Sequence, residues 1–162
     1  MRNRLMLKEK EDKLLSYLRK NSRDTITRIS KKTGVPISTI FDRIKSYKKL
    51  CIERFTCLLN FSELGLKSHS FVVFGVNKTK REEMKKFFVT SENVNAVIRI
   101  NHKYDFLVEL VFSDIQQLEF FLDRVDERFG TRPKHIFYVV EDVGRELFLT
   151  GETLGSDPNQ KP

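Results

Sequence analysis

Apolar positions divide the chain into two parts with different periods. Between residues 7 and 50 they recur at the three- and four-residue spacing of amphipathic helices, with polar residues between them. Between residues 70 and 143, alternating or continuous apolar stretches predict four strands, and two helical patterns lie among them. Residues 150–162 contain no hydrophobic residue except Leu154 and are expected to form a flexible tail.

The first part predicts three helices, over residues 7–20, 26–33 and 39–49. Thr25 is expected to cap the second helix, because its hydroxyl can accept from a first-turn N–H group. Gly34 suits the left-handed residue that ends that helix, and Ser38 is expected to cap the third. A short helix, a glycine-containing turn and a further helix form the helix-turn-helix pattern, whose second helix enters the DNA major groove.

The third helix is predicted to have an apolar stripe, Ile40, Ile44 and Tyr47, and an opposite polar, basic face. Hydroxyl and cationic side chains on that face can meet phosphates or base edges. Asp42 is the exception, and we expect it to orient Arg43 or Lys45 rather than accept from a cytosine amino group. The predicted DNA-contacting residues are Arg28, Ser38, Thr39, Asp42, Arg43, Lys45, Ser46 and Lys49.

The second part predicts the order β-α-β-β-α-β, which is a ferredoxin-like α+β unit. The strands are expected at residues 70–76, 94–100, 104–112 and 135–143, and the helices at 80–88 and 114–129. Two helices cover only one face of such a sheet, so a second subunit is expected on the other. The predicted fold class is therefore α+β, an N-terminal (winged) helix-turn-helix followed by a ferredoxin-like domain. Its predicted ranges are 1–52 for the DNA-binding domain, 53–67 for an extended hinge, 68–149 for the dimerisation and effector domain, and 150–162 for the tail.

Side-chain patterns add three local expectations for the second part. Val94, Ala96, Ile98 and Ile100 alternate and should share one face of their strand. The last helix should be capped by Ser113 or Asp114 and end at Gly130. Its buried stripe should comprise Ile115, Leu118, Phe121, Leu122 and Val125.

Charge is distributed unevenly between the two parts. The whole chain carries +8, but residues 1–60 carry +10 and residues 61–162 carry −2. A basic N-terminal module favours a polyanionic partner, here double-stranded DNA. No apolar run reaches the roughly 20 residues that span a bilayer, and the N-terminus does not resemble a secretory signal. Cys51 and Cys57 cannot form a disulfide framework, so the expected location is the cytoplasm.

The same stretches resemble the Lrp/AsnC (feast/famine) family of bacterial and archaeal transcription regulators. The resemblance covers about residues 7–148 and is most specific in Ser38-Thr-Ile-Phe-Asp-Arg-Ile44-Lys45. Leu14-Leu15-Ser-Tyr-Leu18, Ile29-Ser-Lys-Lys-Thr-Gly34-Val35 and the linker-like Asn60-Phe-Ser-Glu-Leu-Gly-Leu66 also match. The resemblance implies palindromic DNA sites, a dimer that assembles into tetramers or octamers, and a small-molecule effector near the turn between the second and third strands. Asn101, His102, Tyr104 and Asp105 are the matching effector candidates.

Two alternatives stay open at this point. His102 replaces the glycine usual in the family's Gly-x-Tyr-Asp turn, and sirohaem decarboxylases, which are similar in both domains, carry a His-x-Tyr-Asn segment there. His102-Lys-Tyr-Asp105 is close to that segment, so an enzyme subunit is one alternative. A ligand-sensing adaptor without DNA binding is the other. The sequence contains no recognised nucleotide loop, zinc motif or catalytic motif, so no cofactor, metal site, catalytic residue or enzymatic activity is expected.

Overall fold

The described part of the chain, residues 9–101 and 103–150 of a computed structural model, divides into two units. Residues 9–58 and 143–150 belong to the first, and residues 59–142 belong to the second, apart from residue 102. The segment 143–150 therefore groups with the helices and not with the sheet, which differs from the predicted range 68–149. His102 and the predicted tail after residue 150 lie outside the described residues.

Three helices form the first unit, as predicted. They are α1 (Glu9–Lys20), α2 (Ile26–Thr33) and α3 (Ile37–Leu50). Their core consists of six buried side chains, Leu14, Leu15, Leu18, Ile29, Ile40 and Tyr47. The prediction that Ser38 caps α3 is wrong, because the helix already starts at Ile37 and Pro36 occupies the cap position without a side-chain hydrogen bond.

Arg19 of α1 holds the segment 143–150 in the first unit. Its Nε donates to the Phe148 carbonyl at 3.2 Å and its Nη2 to the Glu146 carbonyl at 3.0 Å. The guanidinium also forms an ion pair with the Glu146 carboxylate. The apolar pattern predicts a strand over residues 135–143, but the observed strand ends at Tyr138. A local pattern contains no information about contacts with a side chain as distant in sequence as Arg19.

The second unit is a four-stranded antiparallel sheet with two helices. Its elements in chain order are β1 (Ser68–Phe74), α4 (Arg81–Val89), β2 (Val94–Arg99), β3 (Phe106–Phe112), α5 (Ile115–Phe129) and β4 (His135–Tyr138). The strand order is β2-β3-β1-β4. This is the predicted ferredoxin-like arrangement. Asp114 caps α5 and Gly130, at φ 64°, ends it.

The core of the second unit lies between the helices and one face of the sheet. Phe74, Phe88, Phe106 and Phe121 are among its fully buried side chains. Leu118, Leu122 and Val125 of the predicted α5 stripe are also buried. Ile115 is 54 % exposed, contrary to prediction, because it is the first residue of the helix and lies beyond the covered surface.

A β-bulge between Val94 and Ala96 changes which side chains of β2 share a face. Val94 pairs with Leu110, whereas Ala96 pairs with Glu109, so Asn95 is the extra residue. Val94 and Val97 consequently pack against the helix-covered core. The prediction that Val94 shares a face with Ala96 and Ile98 is therefore wrong.

A buried carboxylate ties the start of β3 to the segment between β1 and α4. Asp105 is 6 % exposed. Its Oδ2 accepts from the Val76 backbone N–H at 2.8 Å, and its Oδ1 accepts from Arg81 Nε at 2.7 Å. Arg99 Nη2 lies 3.6 Å from the same Oδ1. Both oxygens are thus engaged by the protein itself.

These contacts decide the protonation of Asp105. Burial raises the pKa of the carboxyl, but the Val76 hydrogen bond and the Arg81 and Arg99 guanidinium groups outweigh it and leave the pKa below the ordinary value. A carboxyl whose pKa is lowered on folding stabilises the fold above its unfolded pKa of about 3.9. That stabilisation is lost as the pH falls through the lower, folded-state pKa.

Replacing Asp105 with Asn should destabilise the second unit by about 2–3 kcal/mol at pH 7, since Arg81 loses its charged partner. The deficit relative to the unchanged protein should shrink between pH 5 and pH 2. Urea denaturation of the full chain, followed by circular dichroism across that pH range, measures both effects. Glu82→Gln removes an exposed carboxylate 3.6 Å from Lys85 and serves as the control. Equal losses for the two variants would contradict the anchoring role of Asp105.

Candidate DNA-binding surface and effector region

The turn between α2 and α3 is fixed by backbone and side-chain hydrogen bonds. Thr25 Oγ1 accepts from the Arg28 N–H at 3.2 Å, which confirms the predicted cap of α2. Gly34 has φ +69° and donates to the Ser30 carbonyl at 2.8 Å, which confirms the predicted left-handed end. A side chain at position 34 would strain the backbone at this φ.

Two hydroxyl groups hold Val35 in that turn. Ser30 Oγ donates to the Val35 carbonyl at 2.6 Å. Thr33 Oγ1 donates to the Ile29 carbonyl at 2.8 Å and accepts from the Val35 N–H at 3.3 Å. Both backbone polar groups of Val35 are therefore paired within the turn, which helps to fix the direction in which α3 leaves it.

The buried side of α3 is the predicted apolar stripe. Ile40 is fully buried, Tyr47 is 3 % exposed, and Ile44 packs against the same core. Ile29 of α2 is also fully buried in this cluster. Because the stripe points inward, the opposite side of α3 is turned to solvent.

The helix brings most of the predicted DNA-contacting residues onto that solvent side. Ser38, Asp42, Lys45, Ser46 and Lys49 are exposed, whereas Thr39 and Arg43 are half-buried on a flank. Among the side chains of residues 13–101 and 103–150, no salt bridge involves Lys45 or Lys49. Their charges are available to a ligand from solution.

Asp42 makes no ion pair with Arg43 or Lys45 in the part of the chain that the structure describes. The expectation that it orients one of these residues is therefore wrong for the free protein. The three side chains point outward at different angles around α3, since consecutive residues are rotated by about 100°. The carboxylate of Asp42 is left exposed to solvent.

Arg28 lies on α2, apart from the α3 residues. Its Nη1 is 3.4 Å from Asp24 Oδ1, and Lys32 Nζ is 3.7 Å from Asp24 Oδ2. The Arg28 side chain is 64 % exposed, whereas that of Asp24 is 9 % exposed. Asp24 thus holds two cations on the α2 surface and offsets part of their charge.

Sequence reasoning missed two exposed apolar side chains in the first two turns of α3. Ile37 is 51 % exposed and Phe41 is 58 % exposed. The helical spacing contained the signal, because Phe41 lies one turn before Lys45 and one turn after Ser38. The predicted DNA contacts included only polar residues, so Phe41 was not among them.

The described effector candidates have different surroundings in the structure, and their role in ligand binding stays a prediction. Asn101 is exposed, and Asp105 is engaged by Val76 and Arg81. Tyr104 is half-buried, and its hydroxyl lies 2.8 Å from His135 Nε2, with the two rings edge to face at 5.5 Å. The contact with His135, 31 positions away in sequence, could not be anticipated from local sequence.

No helix in residues 9–101 and 103–150 combines the length and apolar character needed to cross a bilayer. In the same residues, no three His, Cys, Asp or Glu side chains are grouped so that they could hold a metal ion.

Comparison with known sequences finds related regulators but no matching family model. The chain is 28 % identical over 139 residues to the HTH-type transcriptional regulator FL11 of Pyrococcus abyssi, covering 85 % of this chain and 92 % of that one. FL11 of Pyrococcus furiosus is likewise 28 % identical, over 137 residues, 84 % of this chain and 91 % of that one.

Three solved structures share the fold. B. subtilis LrpC superposes with a TM-score of 0.78 at 16 % identity, over 85 % of this chain and 97 % of that one. The transcriptional regulator NMB0573 of Neisseria meningitidis, solved as an L-Met complex, has a TM-score of 0.77 at 17 % identity, over 86 % and 93 %. An AsnC family transcriptional regulator from Agrobacterium tumefaciens has a TM-score of 0.72 at 18 % identity, over 85 % and 93 %. The chain therefore has the fold of these solved structures, and its sequence is similar to HTH-type transcriptional regulators.

Proposed function

We propose that the protein is a transcription regulator that binds specific sites on double-stranded DNA as a dimer or higher oligomer. The observation that carries this proposal is the outer side of α3. Ser38, Lys45, Ser46 and Lys49 are exposed there on a helix that the α2–α3 turn holds in a fixed direction. In a helix-turn-helix, this is the helix that enters the major groove. The names of the relatives support regulation as the outcome of that binding.

Charge supports the same assignment. Residues 1–60 carry a net charge of +10, and the exposed lysines of α3 lie within that range. Lysine contacts to phosphate release condensed counterions, which supplies affinity without sequence preference. Hydroxyl and apolar groups on the same helix can then discriminate among base edges.

A second copy of the chain is the proposed partner of the open sheet face. That face, opposite to α4 and α5, carries Phe71, Leu107 and Phe137, among other apolar residues, and Phe137 is 57 % exposed. Pairing two such faces through a two-fold axis would bury the same patch on both subunits. It would also fix the separation of two α3 helices, as recognition of two half-sites requires.

A polar group near the middle of the open face fits burial by a partner. Glu109 is 9 % exposed, and its Oε1 lies 2.8 Å from His69 Nε2. Its Oε2 accepts from Asn95 Nδ2 at 2.6 Å. Because both oxygens already have a hydrogen-bonding partner within the subunit, covering this face leaves neither oxygen without one.

A small-molecule effector is proposed to bind near the turn between β2 and β3. NMB0573 was solved with L-Met bound, which supports a ligand of the amino-acid class in a protein of the same fold. Asn101 and Tyr104 are the residues offered for contact with it. Asp105 is assigned to positioning this region through Val76 and Arg81, and not to direct contact with the effector.

The two alternatives receive less support. The exposed face of α3 argues against an adaptor that does not bind DNA, and the matched sequence relatives are transcriptional regulators. The sirohaem-decarboxylase-like reading depends on His102, which lies outside the described residues. We propose that the protein acts without enzymatic turnover in the cytoplasm, and a visible absorption band after incubation with sirohaem would contradict this.

DNA affinity of the full chain should fall steeply between 50 and 200 mM salt. Each lost phosphate contact lowers the slope of log affinity against log salt by about 0.9. Lys45→Ala combined with Lys49→Ala should therefore lower the slope by about 1–2. Fluorescence anisotropy with a labelled random-sequence duplex measures the slope. Lys85→Ala combined with Lys86→Ala, on the exposed side of α4, is the control and should leave it unchanged. Salt-independent binding, or equal effects of the two double variants, would rule out the proposed surface.

Phe137→Glu should convert the oligomer to monomers, because it introduces a like charge twice into a two-fold interface. Phe137 is exposed in the single subunit, so the substitution should leave the fold intact. Light scattering gives the mass, and circular dichroism confirms folding. Phe120→Glu, at a 68 % exposed position on the outer side of α5, should keep the mass of the unchanged protein. An unaltered mass for Phe137→Glu would place the subunit contact elsewhere.

A further inference from the structure

The outer side of α3 presents one aromatic ring, that of Phe41, largely to solvent. Phe41 is 58 % exposed. Among residues 9–101 and 103–150, its ring stacks on no other aromatic ring and lies under no cation. A phenylalanine side chain gains roughly 1.5–3 kcal/mol on burial, and in the free protein most of that gain is not realised.

The position of Phe41 on α3 places it beside the residues that carry the proposed function. At about 100° per residue, Phe41 lies about 40° from Lys45 and about 60° from Ser38 around the helix axis. The three residues span about two turns of one side of the helix. If Lys45 and Ser38 face DNA, the ring of Phe41 faces it too, so this inference depends on the DNA-binding proposal.

The chemistry of the major groove restricts what the ring can contact there. Phosphate oxygens and most base edges are hydrogen-bonding groups that a phenyl ring cannot satisfy. The C5-methyl group of thymine is the apolar group on that surface, and phenylalanine is among the side chains that contact it. Lysines beside the ring would draw the phosphates close and help to exclude water from it.

We propose that Phe41 is a specificity-determining residue that recognises a thymine C5-methyl group in each half-site. Ser38 and the lysines of α3 position the helix, and Phe41 selects thymine over cytosine and uracil at one position. Burial of one methyl group corresponds to roughly a fourfold change in affinity. The substitution of thymine by uracil removes that methyl group and leaves Watson–Crick pairing intact.

The test uses the full chain and a duplex that it enriches from a random pool. Each thymine of that duplex is replaced singly by deoxyuridine, and affinity is measured by anisotropy. The unchanged protein should lose about fourfold at one thymine of each half-site and little elsewhere. Phe41→Ala should bind the thymine duplex more weakly and should be indifferent to the same uridine replacement.

Leu50→Ala provides a matched control. Leu50 is also an apolar residue of α3 and is also 58 % exposed, but it lies about 180° from Phe41 around the helix. This variant should keep the full uridine sensitivity. Thermal unfolding by circular dichroism should be similar for both variants, since both remove exposed side chains.

The outcomes separate this proposal from the one on which it depends. Failure to enrich any duplex contradicts sequence-specific DNA binding, and the proposal for Phe41 falls with it. Enrichment followed by equal uridine sensitivity in the unchanged protein and in Phe41→Ala overturns the role of Phe41 alone. A lower oligomer mass for Phe41→Ala would assign the ring to a contact between copies of the chain, and would overturn it as well.

Discussion

The short turn between α2 and α3 is the constraint on which the functional surface depends. Gly34 takes a left-handed conformation that reverses the chain in few residues, and Ser30 and Thr33 bind the backbone of Val35. Ile29 and Ile40, on either side of the turn, are both fully buried. Because the inner side of α3 packs in this core, its outer side can carry hydroxyl, lysine and phenyl groups with little effect on the free energy of unfolding. A surface helix that must meet a varied DNA sequence needs this separation between stability and recognition.

The two units differ in charge and in how their polar groups are held. Residues 1–60 carry a net charge of +10, whereas residues 61–162 carry −2. In the second unit, buried carboxylates are held by specific partners, Asp105 by the Arg81 guanidinium and Glu109 by the His69 ring on the open face. Specific polar contacts of this kind fix geometry more than they add stability. They suit a unit whose proposed role is to join subunits at a defined distance.

Local sequence signals predicted much of this structure. Thr25, Gly34 and Gly130 were identified correctly because caps depend on one residue and its immediate neighbours. The element order and the α3 stripe followed from periodicity over ten or more residues. Ser38 was misassigned because Pro36 is compatible with an earlier helix start. The β2 face was misassigned because a single extra residue, Asn95, shifts the alternation.

Most of the features that the sequence did not predict depend on contacts between residues that are far apart in the chain. Arg19 binds carbonyl groups about 130 positions away, and Tyr104 meets a histidine on β4. Asp105 matched the family's effector turn, yet its partners Val76 and Arg81 show that it anchors the backbone. Phe41 was overlooked although helical spacing places it one turn from both Ser38 and Lys45, because only polar residues were considered for the exposed side of α3.

The central claim is that two α3 helices, held by paired sheets, read two half-sites of one DNA site. Selection of duplexes from a random pool by the full chain, followed by sequencing, measures this most directly. The account predicts enrichment of inverted half-sites whose centres are about 10–10.5 base pairs apart, or about one helical turn. Enrichment of a single asymmetric half-site, of half-sites without a fixed spacing, or of no sequence at all would contradict it.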